Sequence, residues 1–327
     1  MLLFFLIITS FSFRFVSFHF ISITNTTITF TAGRTGRLVF SLLMKNSLYY
    51  PVGLVRTETS AKKLIKQVEC GLENIWVCDV TCLDPNGEAN DNGLPNGLTD
   101  AQAMIICTSA VPKMKKRSLA RAFLKMPFNV VRGRKAFNFR ELQFRYADGQ
   151  HPEKVDYEGQ IAQIDLAKKL GISHVVLVSS MGGTNPDDFL NKLGKDEDGQ
   201  GKGDILIWKR KAEKYLVDSG LHYTIIHPGG LKDTPGGEMN LDLDVDDNLK
   251  SRKPKMPTSI SRCDVARLCI ASLSVSNGQS AAFDCSSSEV PEGSKRKHVE
   301  ETLKDFLASG KEYDYSDMDV FDEDYSI

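Results

Sequence analysis

The stretch of sequence that decides the fold is TITFTAGRTG, residues 27–36. A β-branched run typical of a buried strand leads directly into a glycine-containing turn, and an amphipathic helical pattern follows. Glycines at such a junction let the backbone approach a pyrophosphate, and the helix N-terminus supplies N–H groups and a positive dipole. The sequence therefore predicts a phosphate-binding turn, with an ordinary strand-to-helix turn as the alternative. Its residues are Gly33, Arg34, Thr35 and Gly36.

Short apolar β-branched runs alternate with amphipathic stretches through most of the chain. Strands are predicted at 27–31, 52–55, 75–78, 103–107, 174–178, 223–226 and 281–284, and helices at 35–45, 60–68, 154–170, 206–219 and 263–273. Strands that alternate with helices of this length need right-handed crossovers, which place helices on both faces of a parallel sheet. We therefore predict an α/β fold with a doubly wound parallel sheet.

Length and composition fit one large α/β unit or two domains. The 327 residues are 41% hydrophobic and 25% charged, which excludes collagen-like, coiled-coil and wholly disordered chains. The net charge of -1 favours neither nucleic acid nor an anionic membrane as a partner of the whole molecule. We assign residues 26–290 to one nucleotide-binding domain with a small substrate-side region. Residues 291–327 are expected to form a C-terminal helix and an acidic tail, disordered from Glu312 onward.

Residues 1–25 are interpreted as a leader or as an artefact of the gene model. Met1–Ile23 is rich in Phe, Leu and Ile, and carries only Arg14 and His19 among its ionisable side chains. A targeting segment, a mis-assigned start and a membrane anchor are the three alternatives, and a basic n-region is lacking. We expect no stable membrane anchor and a fold that begins near Thr26.

The cysteines are expected to be reduced core residues. They lie mostly in apolar runs, form no Cys-x-x-Cys pair, and their odd number would leave one unpaired in an oxidising compartment. The protein is therefore expected in an intracellular reducing compartment, either the cytoplasm or a plastid. The seven are Cys70, Cys78, Cys82, Cys107, Cys263, Cys269 and Cys285.

No metal site is expected. The acidic stretch Glu238–Asp247 has Asp242, Asp244 and Asp246 at alternate positions, as a calcium loop would. It lacks the required glycine and has Lys253 in place of the twelfth-position Glu.

A basic insertion interrupts the alternation at Lys113–Arg145, where eleven Lys and Arg residues face the single acid Glu141. Such a cluster could contact phosphates, but the surrounding sequence contains no nucleic-acid-binding module. We interpret it as an exposed excursion and expect no nucleic acid partner.

The cofactor is predicted from the end of the second strand. Arg56 lies 20 residues after Gly36, where a cofactor without a 2′-phosphate would need an acidic residue. A guanidinium suits a 2′-phosphate instead, because it offers charge-assisted bidentate hydrogen bonds. Arg34 can reinforce it, so the predicted cofactor is NADP(H). Asp79, at the end of the third strand, is placed to meet the adenine amino group, or else only caps the next turn.

Several motifs together resemble the atypical short-chain dehydrogenase/reductases, in particular plant NAD(P)-binding Rossmann proteins related to NmrA-like proteins. The resemblance covers roughly Thr27 to Ser286 and implies a Rossmann sheet, NADP binding and no metal. It also implies that the strand-end loops at Thr108, Ser109 and Ala110 and at Pro228 and Gly229 contact the cofactor. The motifs are AGRTG (32–36), GLVR (53–56), TSAVPK (108–113), VSSMGGTNP (178–186), WKRKAE (208–213) and YTIIHPGG (223–230).

Two departures from the family pattern stand out. The first glycine of the family's turn falls on Phe30, and the Tyr that active members place four residues before a Lys falls on Ile205. The resemblance implies that Lys209 holds the nicotinamide ribose and that Ser180 offers a hydroxyl to the substrate. A positioned general acid contributes about 10²–10⁴-fold, so its loss matters. Tyr157 and His227 are the available substitutes, with structural roles as the alternative for each.

We therefore predict an NADP(H)-binding oxidoreductase-like protein that reduces a small carbonyl or quinone. A non-catalytic NADPH-sensing or regulatory protein is the main alternative, and a scaffold built around the basic insertion is a third. The predicted catalytic residues are Ser180, Lys209 and His227.

Overall fold

The computed structural model describes residues 25–30, 33–79, 98, 101–133, 136–137, 142–196, 199–252 and 258–316. The leader assigned to residues 1–25 lies outside these residues except for its last one, and so do Cys82, Lys253 and the tail from 317.

Strands are numbered in chain order over the described residues. They are β1 Asn25–Phe30, β2 Tyr49–Val55, β3 Ile75–Val77, β4 Ala101–Ile106, β5 Lys113–Met114, β6 Phe144–Arg145, β7 His174–Val178, β8 His222–Pro228, β9 Gly230–Lys232, β10 Asn240–Asp244, β11 Ser259–Ser261 and β12 Ala281–Ser288.

The helices are α1 Arg34–Met44, α2 Glu58–Val68, α3 Lys116–Val131, α4 Gly159–Lys169, α5 Ile205–Asp218, α6 Asn248–Ser251, α7 Arg262–Val275 and α8 Val299–Ala308. A π-helical segment, Glu153–Glu158, leads directly into α4, and short 3₁₀ turns cover Leu72–Asn74 and Phe189–Lys192. Among the described residues, no helix combines the length and the apolar character needed to cross a bilayer.

The described strands form an eight-stranded sheet in the order β10-β12-β8-β7-β4-β1-β2-β3. Neighbouring strands are parallel from β12 to β3, and β10 runs antiparallel to β12 at one edge. The order reverses between β1 and β4, because β2 and β3 lie on one side of β1 and the later strands lie on the other. This arrangement confirms the predicted doubly wound Rossmann sheet and places a crevice at the switch point, outside the carboxyl ends of β1 and β4.

Helices cover both faces of the sheet. On one face α1 packs against α7, which also contacts α8, and on the other α4 packs against α5. Most strand residues are buried because helices cover both faces of the sheet. Val176 and Ile225, for example, are fully buried in the main core. Helix α2 adds a smaller cluster in which Leu64 meets Phe40.

The basic insertion contains the short antiparallel pair of β5 and β6 and the 16-residue helix α3. Ser118 and Ala122 are its buried side chains, whereas Leu124 and Val131 are 75% and 87% exposed. The insertion therefore forms a helical excursion from the end of β4.

The prediction of disorder from Glu312 was wrong for residues 312–316. Tyr313 is only 8% exposed and lies over the His227 ring at 4.4 Å, and Tyr315 donates a hydrogen bond to Glu213. Burial and stacking of these two aromatic rings contribute enough free energy to order this acidic segment.

Candidate functional site

The carboxyl edge of the sheet brings the predicted site residues together. Parallel pairing of β1 with β2 and β4, and of β4 with β7, places all these strand ends at one edge. The residues that follow the strands therefore lie at this edge: Gly33 and Arg34 after β1, Arg56 after β2, Thr108, Ser109 and Ala110 after β4, Ser179 and Ser180 after β7, and Pro228 and Gly229 at the end of β8.

The N-terminus of α1 has the features of an anion site. Gly33 is the N-cap in extended geometry, no side chain caps the helix, and its first turn contains no acidic residue. Thr35 and Gly36 in that turn are buried. A Cβ added at Gly33 would meet the Cys107 carbonyl oxygen at 3.7 Å, an ordinary contact, so the chain leaves room beside this backbone. These first-turn N–H groups and the helix dipole suit a pyrophosphate.

Two guanidinium groups lie at the same edge. The Arg34 Nη1 atom is 2.6 Å from Asp233 Oδ2 and its side chain is 62% exposed, and Arg262 holds the other oxygen of Asp233 at 2.7 Å. Arg56 is exposed and donates to the Oε1 atom of Gln150. Asp79 follows β3 at the outer end of the edge and is half-buried.

The loop after β4 is fixed from behind by the π-helical segment and α4. Gln160 donates to the Thr108 carbonyl oxygen at 3.0 Å, and the Gln163 amide lies 3.1 Å from the Thr108 hydroxyl. The Ala110 N–H donates to Asp156 Oδ2 at 2.9 Å. Two of these side chains therefore hold the backbone of the loop, and Gln163 holds the Thr108 hydroxyl.

Lys209 forms a buried ion pair with Asp156. The Nζ atom lies 2.8 Å from Oδ1, and the two side chains are 5% and 0% exposed. Asp156 thus joins the predicted ribose-binding lysine to the backbone of the β4 loop. Sequence reasoning missed this carboxylate, because Asp156 is one of several charged and polar residues in the amphipathic stretch 154–170.

Ile205 lies one turn before Lys209 on the same face of α5, as the i, i+4 spacing predicts. It is 9% exposed and packs in a small cluster with Ala110, Val155 and Leu206. The position that carries a Tyr in active members is therefore a closed apolar contact beside the β4 loop.

The two serines after β7 behave differently. Ser180 is half-buried, and its hydroxyl makes a 3.3 Å contact with the Met181 carbonyl oxygen, whereas Ser179 is buried and donates to Glu213. Ser180 is therefore the more accessible of the two serines.

His227, near the carboxyl end of β8, lies in a buried charged cluster with Glu213 of α5. Its Nε2 atom is 2.9 Å from Glu213 Oε2, and its Nδ1 atom is 3.8 Å from Asp284 Oδ1. Burial alone would lower the pKa of His227, but the charge and hydrogen bond of Glu213, helped by Asp284, raise it above the ordinary value. Burial likewise works against ionisation of Glu213, yet the charge and hydrogen bond of His227, with Arg210, keep its pKa low.

Sequence reasoning also missed the groups that close this cluster. The Arg210 guanidinium stacks on Tyr315 at 4.5 Å and donates to the Asp314 carbonyl oxygen at 3.0 Å. His227 is 1% exposed beneath Tyr313. These contacts favour a structural role for His227 over that of a substitute acid.

Gly229 is required by packing. A Cβ there would lie 2.4 Å from the carbonyl oxygen of Thr258, which directly precedes β11. No residue with a side chain therefore fits at position 229. The Pro228 carbonyl accepts the Met181 N–H at 3.1 Å, which ties the β8 end to the loop after β7.

Two tyrosines lie near the Lys209 region. Tyr157 stacks on Trp208 with ring centroids 5.5 Å apart. Tyr146 packs against the Ile205 cluster, and among the described residues its buried hydroxyl has no hydrogen-bond partner. Burial, and next the charge of Asp156, raise the pKa of Tyr146 well above its ordinary value.

The fold and the carboxyl-edge site define a nicotinamide-nucleotide-binding Rossmann protein. An NAD(P)H-binding family model matches residues 140–275. Sanguinarine reductase from Eschscholzia californica is 40% identical over 287 residues, which cover 85% of this chain and 91% of the relative. The chain therefore belongs to the NAD(P)-binding Rossmann family that includes sanguinarine reductase, as the motifs predicted. An uncharacterized chloroplastic protein of Arabidopsis thaliana is 37% identical over 81% of this chain and 70% of its own length.

Solved structures show the same fold at low identity. An oxidoreductase from Lactococcus lactis superposes with a TM-score of 0.53 at 17% identity, over 86% of this chain and 96% of the other. A protein from Bacillus halodurans, described as an NAD-dependent epimerase/dehydratase, gives a TM-score of 0.53 at 18% identity, over 86% and 98% of the two chains.

Proposed function

We propose that this protein is an NADPH-dependent reductase of a small carbonyl or quinone. The observation that carries the proposal is the buried Lys209–Asp156 ion pair, which is held against the Ala110 backbone at the carboxyl edge of the sheet. Burial of both charges costs desolvation, and such a pair adds little stability compared with well-packed apolar residues, which supports a role beyond stability.

The preference for NADPH rests on Arg56 and Arg34. Both are exposed cations at the crevice edge, and their partners, the half-buried Gln150 and the exposed Asp233, are ones that a phosphate can displace. A 2′-phosphate would gain charge-assisted hydrogen bonds from these groups. The uncapped N-terminus of α1 would hold the pyrophosphate.

The residues of this chain would bind the cofactor and orient the substrate. When bound, the nicotinamide cofactor supplies the hydride. Lys209 would hold the nicotinamide ribose, Asp156 would fix the Lys209 ammonium group, and Ser180 would donate a hydrogen bond to the substrate oxygen. Asp79, Ser109, Pro228 and Gly229 stay predicted cofactor contacts.

The substrate class follows from Ile205. With no phenol at this position, a good substrate is one whose reduction does not depend on a proton from the enzyme at the moment of hydride transfer. Quinones meet this condition better than simple ketones, because the hydroquinone anion that forms takes its proton from solvent. Sanguinarine is a second probe, since the relative named for its reduction is similar over nearly its whole length.

A non-catalytic NADPH sensor is the rival, and the apolar packing of Ile205 favours it. Stopped-flow mixing of the NADPH complex with quinones, small carbonyls and sanguinarine separates the two. We expect nicotinamide absorbance to decay with a quinone or sanguinarine and to decay more slowly in Ser180→Ala. Lys214→Ala, a surface change on α5, is the control and should react at the parental rate. Decay with none of the probes would favour the sensor.

We place the protein in a reducing compartment, either plastid or cytoplasm. Cys70, Cys269 and Cys285 are buried as free thiols, and a chloroplastic relative is 37% identical. Fractionation of cells that express the tagged full chain would test this, and recovery in the secretory pathway would contradict it.

A further inference from the structure

Helix α3 carries an exposed apolar face. Two rows at i, i+4, i+7 spacing share one side of the helix, Phe123-Pro127-Val130 and Leu124-Phe128-Val131. Phe123 contacts Phe137 with ring centroids 5.8 Å apart and is still 56% exposed. Leu124 and Val131 are 75% and 87% exposed. The small buried residues Ser118 and Ala122 attach the helix to the protein through its other side.

The same segment is strongly basic. No acidic residue occurs between Asp100 and Glu141, whereas the helix and its approaches carry Lys113, Lys115, Lys116, Arg117, Arg121, Lys125 and Arg132. Lys116, Arg117 and Arg121 are exposed in the first two turns. A large apolar face beside a run of cations is unusual on a chain whose net charge is -1.

We propose that α3 is a reversible docking surface for an anionic lipid bilayer. Interfacial helices combine Phe and Leu, which enter the boundary between headgroups and acyl chains, with Lys and Arg, which contact anionic headgroups. An RNA or DNA backbone would engage the cations but would leave the apolar rows exposed to water. The proposal is independent of the reductase activity.

Docking would bring the site close to the bilayer. The chain leaves β4 at Ile106 and reaches β5 at Lys113, so the loop of Thr108 and Ala110 is the direct connection between the sheet and the docking segment. A membrane-bound protein would therefore present the carboxyl edge of its sheet near the lipid surface.

Vesicle flotation of the full chain tests the proposal. The vesicles are phosphatidylcholine alone and an equal mixture of phosphatidylcholine and phosphatidylglycerol, at low and high ionic strength. One variant replaces Phe123, Leu124 and Phe128 with Ser, and a second replaces Lys116, Arg117 and Arg121 with Gln. Matched controls are Leu72→Ser, which changes a 74% exposed leucine elsewhere, and Gln at the exposed Lys62, Lys63 and Lys66 of α2. Circular dichroism confirms that each variant is folded.

We expect the parent to float with the anionic vesicles and to be released by salt. The partition coefficient of the Ser variant should be about tenfold or more below that of the parent, because three apolar side chains that would be buried in the lipid are removed. The Gln variant should lower it by roughly a hundredfold, at about fivefold for each cation. The controls should bind like the parent.

Equal binding of the parent and both α3 variants would overturn the proposal, since residues 1–23, which all forms share, or another surface would then carry the binding. Equal flotation with the two vesicle types, no flotation at all, or binding to a single-stranded RNA without flotation would also overturn it.

Discussion

The Lys209 ammonium group and the Asp156 carboxylate lie 2.8 Å apart in a site that excludes water from both side chains. Asp156 accepts the Ala110 N–H through its other oxygen, so one carboxylate couples α5, the π-helical segment and the β4 loop. Asp156→Asn should destabilise the fold by about 3–5 kcal/mol, because it leaves a buried ammonium group without its counterion. Urea unfolding measures this loss. Lys214→Ala, which breaks a surface pair on the same helix, should cost less than about 1 kcal/mol.

Removing both charges separates stability from binding. Asp156→Leu combined with Lys209→Met should recover part of the stability, since a buried pair replaced by apolar residues is often neutral. The Ala110 N–H still loses its acceptor, which should cost about 1–3 kcal/mol. NADPH binding should stay weak in the double variant because the ribose contact is gone. Recovery of parental NADPH affinity, measured by titration calorimetry, would show that Lys209 does not hold the cofactor.

The sequence predicted the sheet because buried strands and crossover helices leave a local signature. It also placed Ile205 and Lys209 on one helix face, since i, i+4 spacing is a local property. Asp156 lies in a segment that no local pattern pairs with Lys209. Tyr315 and Glu213 are 102 residues apart and meet only because α8 returns the chain to the sheet. Contacts of this kind depend on tertiary packing that single-sequence patterns do not encode.

Arg56→Ala should erase the preference for NADPH over NADH. Hydrogen bonds to charged groups are worth about 1.5–3 kcal/mol, so the ratio of the two dissociation constants should fall about tenfold or more. The measurement is fluorescence titration with each cofactor, and Lys62→Ala on α2 serves as the control for a lost surface cation. Equal affinity of the parent for the two cofactors would contradict the prediction before any variant is made.

Asp284 should make stability fall between about pH 4 and pH 7. Burial, with repulsion from Asp247, outweighs the attraction of His227 and raises the pKa of Asp284 to about 7. The folded state therefore favours the protonated form, so this contribution is complete below the unfolded pKa and is lost as pH rises through the folded pKa. Relative to Asp284→Asn, the parent should lose up to about 4 kcal/mol over this window. If the free energies of unfolding of the parent and the variant had the same pH dependence over this range, the raised pKa of Asp284 would be refuted.

Tyr146→Phe tests a phenol that the sequence did not single out. Its hydroxyl is buried and has no hydrogen-bond partner among the described residues, so removing it should stabilise the fold by about 1 kcal/mol. If instead Tyr146 supplied a proton to the substrate, the variant would lose kcat at unchanged NADPH affinity. A stabilised variant with parental rates would assign Tyr146 to packing. A loss of kcat would instead make Tyr146 the proton donor that replaces the Tyr missing at position 205.

Ile205 decides how fast simple ketones can react. Its side chain fills the space beside Ala110 and Val155, so position 205 itself supplies no phenol to protonate a developing alkoxide. The parent should therefore bind NADPH readily and reduce simple ketones far more slowly than about 10 s⁻¹, the median for enzymes.

Ile205→Tyr places a hydroxyl one turn before Lys209, at a cost of about 1–3 kcal/mol for overpacking, and should raise the rate of ketone reduction relative to that of quinone reduction. Ile205→Phe is the matched control, since it brings the same ring without the hydroxyl. Ketone turnover by the parent at ordinary rates, with no gain in Ile205→Tyr over Ile205→Phe, would show that another acid already acts in this site, and His227→Gln would then be the first variant to measure.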